Sequence, residues 1–303
     1  MNNLGELLAL AAAVCWTATS MLFSEAGRRI GSLNLNLIRL IVAMGYFMVF
    51  LGLSGQEVIP FDAPAQVWIT LSLSGLVGFV FGDLFLFRAF VLIGARISML
   101  IYASVPVIVL FFGWIFLGET ISLQSSLGVF LTLAGIAGVI LFRAPAPHEP
   151  DPIQIILRKK VFTQGVLFGF LGALGQAGGL VIARFGTGTE FSAFGATQIR
   201  VIAGIIGFGV IFLVTGRFKK FIKSLKNPKA LALVFAGAFA GPFLGVSLGL
   251  RAAQLTTTGI AATLMAITPV LIIPPSIILY KERITVLEIV ATLVTLGGVA
   301  ILV

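Results

Sequence analysis

Residues 82–89 read Gly-Asp-Leu-Phe-Leu-Phe-Arg-Ala, and residues 245–252 read Gly-Val-Ser-Leu-Gly-Leu-Arg-Ala, 163 positions later. The same interval carries Gly78 to Gly241, Pro106 to Pro269, Glu119 to Glu282 and Gly135 to Gly298. Arg39 meets Arg200 at an interval of 161, and Gly5 meets Gly165 at 160, so the drift falls in connections. Self-similarity at one long interval marks a duplicated structural unit. The chain therefore reads as two halves, 1–142 and 163–303, joined by a linker at 143–162. That linker contains Ala-Pro-Ala-Pro-His-Glu-Pro-Asp-Pro (144–152), a proline density suited to a spacer.

The solvent of both halves follows from composition. Of 303 residues, 59% are hydrophobic and 10% charged, against about 25% charged in soluble domains. Ten apolar runs approach the roughly 20 residues needed to cross a bilayer: 4–24, 34–53, 66–87, 96–117, 124–142, 163–184, 193–215, 229–250, 257–280 and 284–303. They are long and continuous, not the alternating segments of about ten residues that build a membrane barrel. Helices alone then satisfy the backbone in hydrocarbon. The expected fold is an all-α integral membrane protein with ten transmembrane helices arranged as two inverted five-helix repeats. An odd number per half makes the second half enter from the opposite side. Inverted repeats frame a solute site near the membrane midplane. The first run lacks a basic leader segment and is read as a retained helix.

Several function classes fall away. Cys15 is the single cysteine and His148, in the linker, the single histidine, so neither a disulfide nor a Cys/His metal site is expected. The net charge of +9 collects in short connections, which is a topology signal and not a nucleic-acid face. No phosphate-cradling Gly-x-x-x-x-Gly-Lys-Ser/Thr motif is present, so ATP hydrolysis is not supported. The basic connections 1–2, 3–4, 5–6, 7–8 and 9–10 share one side, which the positive-inside rule assigns to the cytoplasm, with both termini outside.

With these features in view, the chain resembles the drug/metabolite transporter superfamily, in particular its EamA-type members. The resemblance is carried by Ser-Val-Pro-Val…Phe-Leu-Gly-Glu-Thr-Ile (104–121) and its copy Ile-Thr-Pro-Val…Tyr-Lys-Glu-Arg-Ile (267–284). Each is followed by a glycine-rich last helix, with Gly128 and Gly135, then Gly297 and Gly298. The resemblance implies export or exchange of metabolites, often driven by an ion gradient. It also implies cytoplasmic termini and basic residues between helices 2 and 3. Here that connection holds Glu57 and Asp62 and no Lys or Arg, so both orientations stay open.

Asp83 is the sharpest single residue, because a charge in a membrane helix costs about 2.5–3.5 kcal/mol near its centre. Its repeat partner is Val246, so the duplicated architecture does not need an acid there. Proton or sodium coupling fits it, and so does an ion pair with Arg39 or Arg88. Arg39 and Arg200 recur in both halves, which suits either a shared architectural task or anion contact. The expected substrate cavity combines Trp16, Asp83, Tyr102, Gln176, Thr263 and Thr268. Pro106 and Pro269 are expected to kink helices 4 and 9. Pro274 and Pro275 add a break that Phe111 and Phe112 do not repeat, which marks helix 9 as the gating element. Glu119 and Glu282 are expected to cap the helices that follow.

The reading is a secondary active transporter, an exporter or exchanger of a small organic metabolite, working by alternating access. Its partners are a small-molecule solute, the lipid bilayer, and a proton or sodium ion. No cofactor, metal or nucleic acid is implied, and a monomer is compatible with it. The expected location is the inner membrane of a prokaryote. A passive channel and a membrane-embedded enzyme are the competing readings.

Overall fold

The computed structural model describes residues 4–55, 58–117, 122–142, 152–187, 191–255, 261 and 264–302. Among the described residues there is no strand. The chain runs α1 (Leu4–Ile30), α2 (Ser32–Leu53), α3 (Ala65–Gly75), a π-helical segment π1 (Leu76–Gly82), α4 (Asp83–Tyr102), α5 (Val105–Leu117) and α6 (Leu123–Leu141). It continues with α7 (Pro152–Thr187), α8 (Ala193–Thr215), a short α9 (Phe218–Ser224) and α10 (Pro228–Ala238). A second π-helical segment π2 (Phe239–Gly245), α11 (Val246–Leu255), α12 (Thr268–Leu271), α13 (Ile273–Tyr280) and α14 (Val286–Leu302) complete it. Among the described residues, seven spans are long and apolar enough to cross a membrane. Three shorter apolar stretches, Val105–Phe116, Thr268–Tyr280 and Val286–Ile301, accompany them.

Local chemistry sets the element boundaries. The apolar stretch Ala65–Tyr102 is not one rod, because Gly94 stands at φ 80° and ψ 166° inside it. Only glycine adopts that conformation cheaply. A single residue therefore links the rod that carries Asp83 to the segment 95–102. Helix α7 begins at Pro152, so residues 152–162, assigned to the linker on sequence, are helical. Proline in a first turn loses no hydrogen bond. Pro106 and Pro269, expected as kinks, and Pro274 and Pro275, expected as a further break, likewise stand in first turns, in α5, α12 and α13. Helix 4 stops at Tyr102 and restarts at Val105. At Ile272 the chain keeps helical dihedrals (φ −74°, ψ −24°), so Pro274 and Pro275 interrupt the hydrogen-bond ladder more than the path.

Packing crosses between the two parts of the chain. Helix α1 lies along α10, π2 and α11, and α7 lies along α3, π1 and α4. Helix α2 packs on α8, and α6 on α14. The α7 contact is backbone to backbone: a Cβ built on Gly175 would stand 2.5 Å from Gly82 Cα. Two apolar cores flank the centre. One gathers Phe23, Phe87, Phe90 and Ile272, and the other Phe47, Phe79, Phe208 and Phe243.

Candidate functional site

Where α1, α2, the α3–π1–α4 rod, α7 and π2 meet, they enclose a narrow cavity lined by Trp16, Arg39, Asp83, Tyr102 and Gln176, with aromatic walls from Phe79 and Phe87. Its space of ≈ 30 Å³ holds a water or two. A larger depression at Lys159, Lys160, Thr163, Gln164 and Leu167 is an open surface formed by one helix alone.

At the centre of the cavity Arg39 and Asp83 form an ion pair, Nη2 to Oδ2, with only 4% and 7% of each residue exposed. Arg39 Nε also donates to Asn36 Oδ1 at 3.1 Å. Asn36 Nδ2 in turn donates to the carbonyls of Ser32 and Asp83, both at 3.1 Å. Asn36 thus ties α2 to the start of α4 and fixes the guanidinium against the carboxylate. The guanidinium also stacks 4.6 Å from the Phe87 ring centroid and 5.8 Å from Phe79. Such cation–π contacts are worth about 0.5–2 kcal/mol. Of the two partners the sequence offered Asp83, Arg39 takes the pair; no ion pair of Arg88 is found among the described residues.

Arg200 approaches the same aromatic wall from α8. Its Cζ lies 4.6 Å from the Phe79 centroid, on a residue that is 3% exposed. Its Nε and Nη2 have no hydrogen-bond partner among the described residues. Phe79 therefore carries a cation at each of its two arginine contacts.

Other expected site residues fall as follows. Thr268 does not face the cavity: its hydroxyl donates to Met265 O at 2.8 Å and approaches Ala13 O at 3.4 Å. Thr263 lies outside the described residues, as does Glu119. Glu282 does not cap α14. That task belongs to Thr285 and Glu288, a reciprocal capping box: Glu288 N donates to Thr285 Oγ1 at 3.2 Å, and Thr285 N donates to Glu288 Oε2 at 2.9 Å. Glu282 instead pairs with Arg96 at 2.8 Å, and the fully buried Glu288 stands 3.7 Å from the same arginine. Arg28 sits 5.9 Å from the Tyr280 ring centroid beside them. Together these groups clasp the ends of α1, α13 and α14 to α4 just past its break at Gly94.

Sequence reading passed over Asn36, Phe79 and Phe87 at the pair, and Arg96 with Glu288 at the clasp. Asn36 was legible in principle, as a polar residue three before Arg39 on one helix face. The phenylalanines were not, because 27 of them are spread through the chain.

A sequence model of the EamA-like transporter family matches residues 3–141 and, separately, 163–303. This chain belongs to that family. It is a multi-pass membrane transporter of the drug/metabolite transporter superfamily, and a small-molecule solute and the lipid bilayer are its partners. A curated relative from a Sinorhizobium species, described as an uncharacterized transporter in the cobO 3' region, is 33% identical over 129 residues, which is 42% of this chain and 90% of that protein. A solved crystal structure with 18% identity superposes with a TM-score of 0.63 over 98% of this chain and 95% of the other. It therefore shares the fold of this EamA-type chain.

Proposed function

We propose that this transporter is a secondary active carrier, an exporter or exchanger of a small organic metabolite, built from ten membrane crossings in two inverted halves, 1–142 and 163–303, with 143–162 between them. The coincidence of element boundaries supports this. Ala65, Leu76, Asp83, Val105 and Leu123 begin elements, and so do Pro228, Phe239, Val246, Thr268 and Val286, each 163 residues on. The exchanged packing supports it too, since the first helix of each half lies on the third of the other. The residues lining the cavity include three pairs at the repeat interval: Phe79 with Pro242, Asp83 with Val246, and Trp16 with Gln176.

The observation that carries the mechanism is the buried Arg39–Asp83 pair on the wall of a cavity shared by both halves. The space there is too small for an organic solute, so binding has to open it. Rocking of the halves admits solute from one side at a time, with the clasp at Arg96 closing one end. Asp83 is the coupling group: proton or sodium binding releases Arg39 and changes which arrangement is favoured. Pro269, Pro274 and Pro275 leave α12–α13 with gaps in its ladder, and make it the gating segment of the second half. Pro106 gives the same break in the first. The inner membrane of a prokaryote is the proposed location.

Purified protein in liposomes provides the test. Imposed pH or sodium gradients should drive accumulation of a solute identified by comparing metabolites of cells with and without the protein. Flux that only equalises concentrations would instead identify a channel, and conversion of the solute an enzyme.

A further inference from the structure

The two arginines contributed by the duplication are not equivalent, and the difference has a specific form. At Arg39, Nε is satisfied by Asn36 and Nη2 by Asp83. At Arg200, the two donors without a partner among the described residues are the same two, Nε and Nη2. The repeat explains the loss. The residue matching Asn36 is Thr197, whose hydroxyl donates to Ala193 O at 2.8 Å in its own helix. The residue matching Asp83 is Val246, which lines the cavity with a hydrocarbon side chain. The second half keeps the guanidinium, which stacks on Phe79 of the first half, but omits both acceptors.

A buried guanidinium with two orphaned donors is costly unless something supplies the acceptors. Arg200 does not itself line the cavity, but its platform Phe79 does, and Gly78, which has no side chain, stands beside both Arg200 and the cavity-lining Gln176. A Cβ built on Gly78 would stand 3.1 Å from Arg200 Nη2 and 3.5 Å from Gln176 Oε1, so the two polar groups approach each other over that glycine. Gln176 already lines the cavity. The charge count agrees: two cations, Arg39 and Arg200, meet one acid, Asp83. An occupant that completes the site contributes one negative charge. The rest of the lining is mostly apolar, with the rings of Trp16, Phe23, Phe87 and Phe90 beside Leu86, Met99, Pro242 and Val246 and the hydroxyls of Thr19 and Ser20.

We propose that Arg200 is the recognition point for one carboxylate of the transported solute, which takes at Arg200 the place Asp83 holds at Arg39, and that the solute is an organic monoanion with an aromatic or large apolar body. This rests on the transport reading and narrows it. A planar fork donates through Nε and Nη2 to the two oxygens of a carboxylate at once. Gln176 is placed to select a second polar group on the solute.

The test is equilibrium binding to the purified full chain in detergent, followed by thermal stability, with probes differing only in the charged group: 3-phenylpropionate and indole-3-acetate, their primary amides, and 3-phenylpropylamine and tryptamine. Sodium chloride at equal concentration is the inorganic arm. A carboxylate is expected to raise the melting temperature while its amide and the amines do not. Arg200→Gln should weaken that binding by about tenfold or more, the scale of one charge-assisted hydrogen bond. Arg200→Lys, which keeps the charge and loses the fork, should fall between. The proposal is overturned if amines or amides stabilise as well as the carboxylates, if chloride alone reproduces the shift, if no carboxylate binds, or if folded Arg200→Gln binds like the parent. The comparison of probes on the parent protein stands even if the glutamine variant does not fold. Because binding is read without flux, its failure is separate from failure of the carrier reading, which liposome accumulation of a neutral or cationic solute would leave intact.

Discussion

Arg39→Met, Asp83→Asn and their combination separate coupling from scaffolding at the central pair. Two unit charges about 4 Å apart at an effective dielectric near 20 attract by roughly 4 kcal/mol, and both residues are more than nine-tenths buried. Asp83→Asn keeps an oxygen for Arg39 Nη2, and Asn36 and the Phe87 ring remain in place. Its expected cost is about 2–3 kcal/mol. Arg39→Met strands a buried carboxylate and is expected to cost about 3–5 kcal/mol. The double variant removes both charges together, so its loss falls short of the sum by about 2–3 kcal/mol. Unfolding in detergent micelles by titration with sodium dodecyl sulfate, followed by tryptophan fluorescence, gives all four stabilities. The double variant should be folded yet show no gradient-driven flux in liposomes. Additivity within about 0.5 kcal/mol would refute the pairing, and gradient-driven flux by Asp83→Asn would refute its role in coupling.

At the clasp, Glu282→Ala should cost under about 1 kcal/mol, since a partly exposed ion pair contributes little, whereas Glu288→Ala loses a cap and a buried charge partner and should cost about 3 kcal/mol or more; the same micellar titration ranks them. Thr285→Ala, which loses only the cap, should cost about 1 kcal/mol. Gly94→Ala forces a side chain into φ 80°, ψ 166°, with an expected cost of about 1–3 kcal/mol and faster hydrogen exchange in 95–102. Gly175→Val drives α7 away from π1, and a loss of about 1–3 kcal/mol should appear with lowered yield of folded protein.

Much of this arrangement is legible in the chain itself, because its glycines and prolines recur at an interval of 163 residues. Gly82 and Gly245 end the two π-helical segments, and Asp83 stands out because Val246 shows what the fold tolerates there. The π-helical turns were not legible. They depend on one extra backbone residue being accommodated against a neighbouring helix, a tertiary event with no residue signature beyond glycine. Pro106 and Pro269 were placed inside helices and stand instead in first turns, since sequence spacing cannot distinguish a kinked helix from one that stops and restarts. The Arg39–Asp83 pair was one of two candidates, because Arg88 is nearer in sequence while Arg39 needs α2 packed on α4. Glu282 was read as a cap from its place at the end of an apolar run. The structure gives that place to Thr285 and Glu288, which form a Thr-x-x-Glu signature.

The exchanged packing of α1 has a consequence for how the protein is made. Its alanine face at Ala9, Ala12 and Ala13 is fully buried, and α10, π2 and α11 are its main partners. Those elements are complete only at Leu255, 225 residues after Ile30. At translation speeds of about 5–20 residues per second, α1 waits on the order of 10–45 s in the bilayer before its permanent neighbours exist. The first half therefore cannot reach its final form alone. A chain split within 143–151 and expressed as two pieces should assemble only when both are present, and the earlier piece should be the preferred target of membrane quality-control proteases.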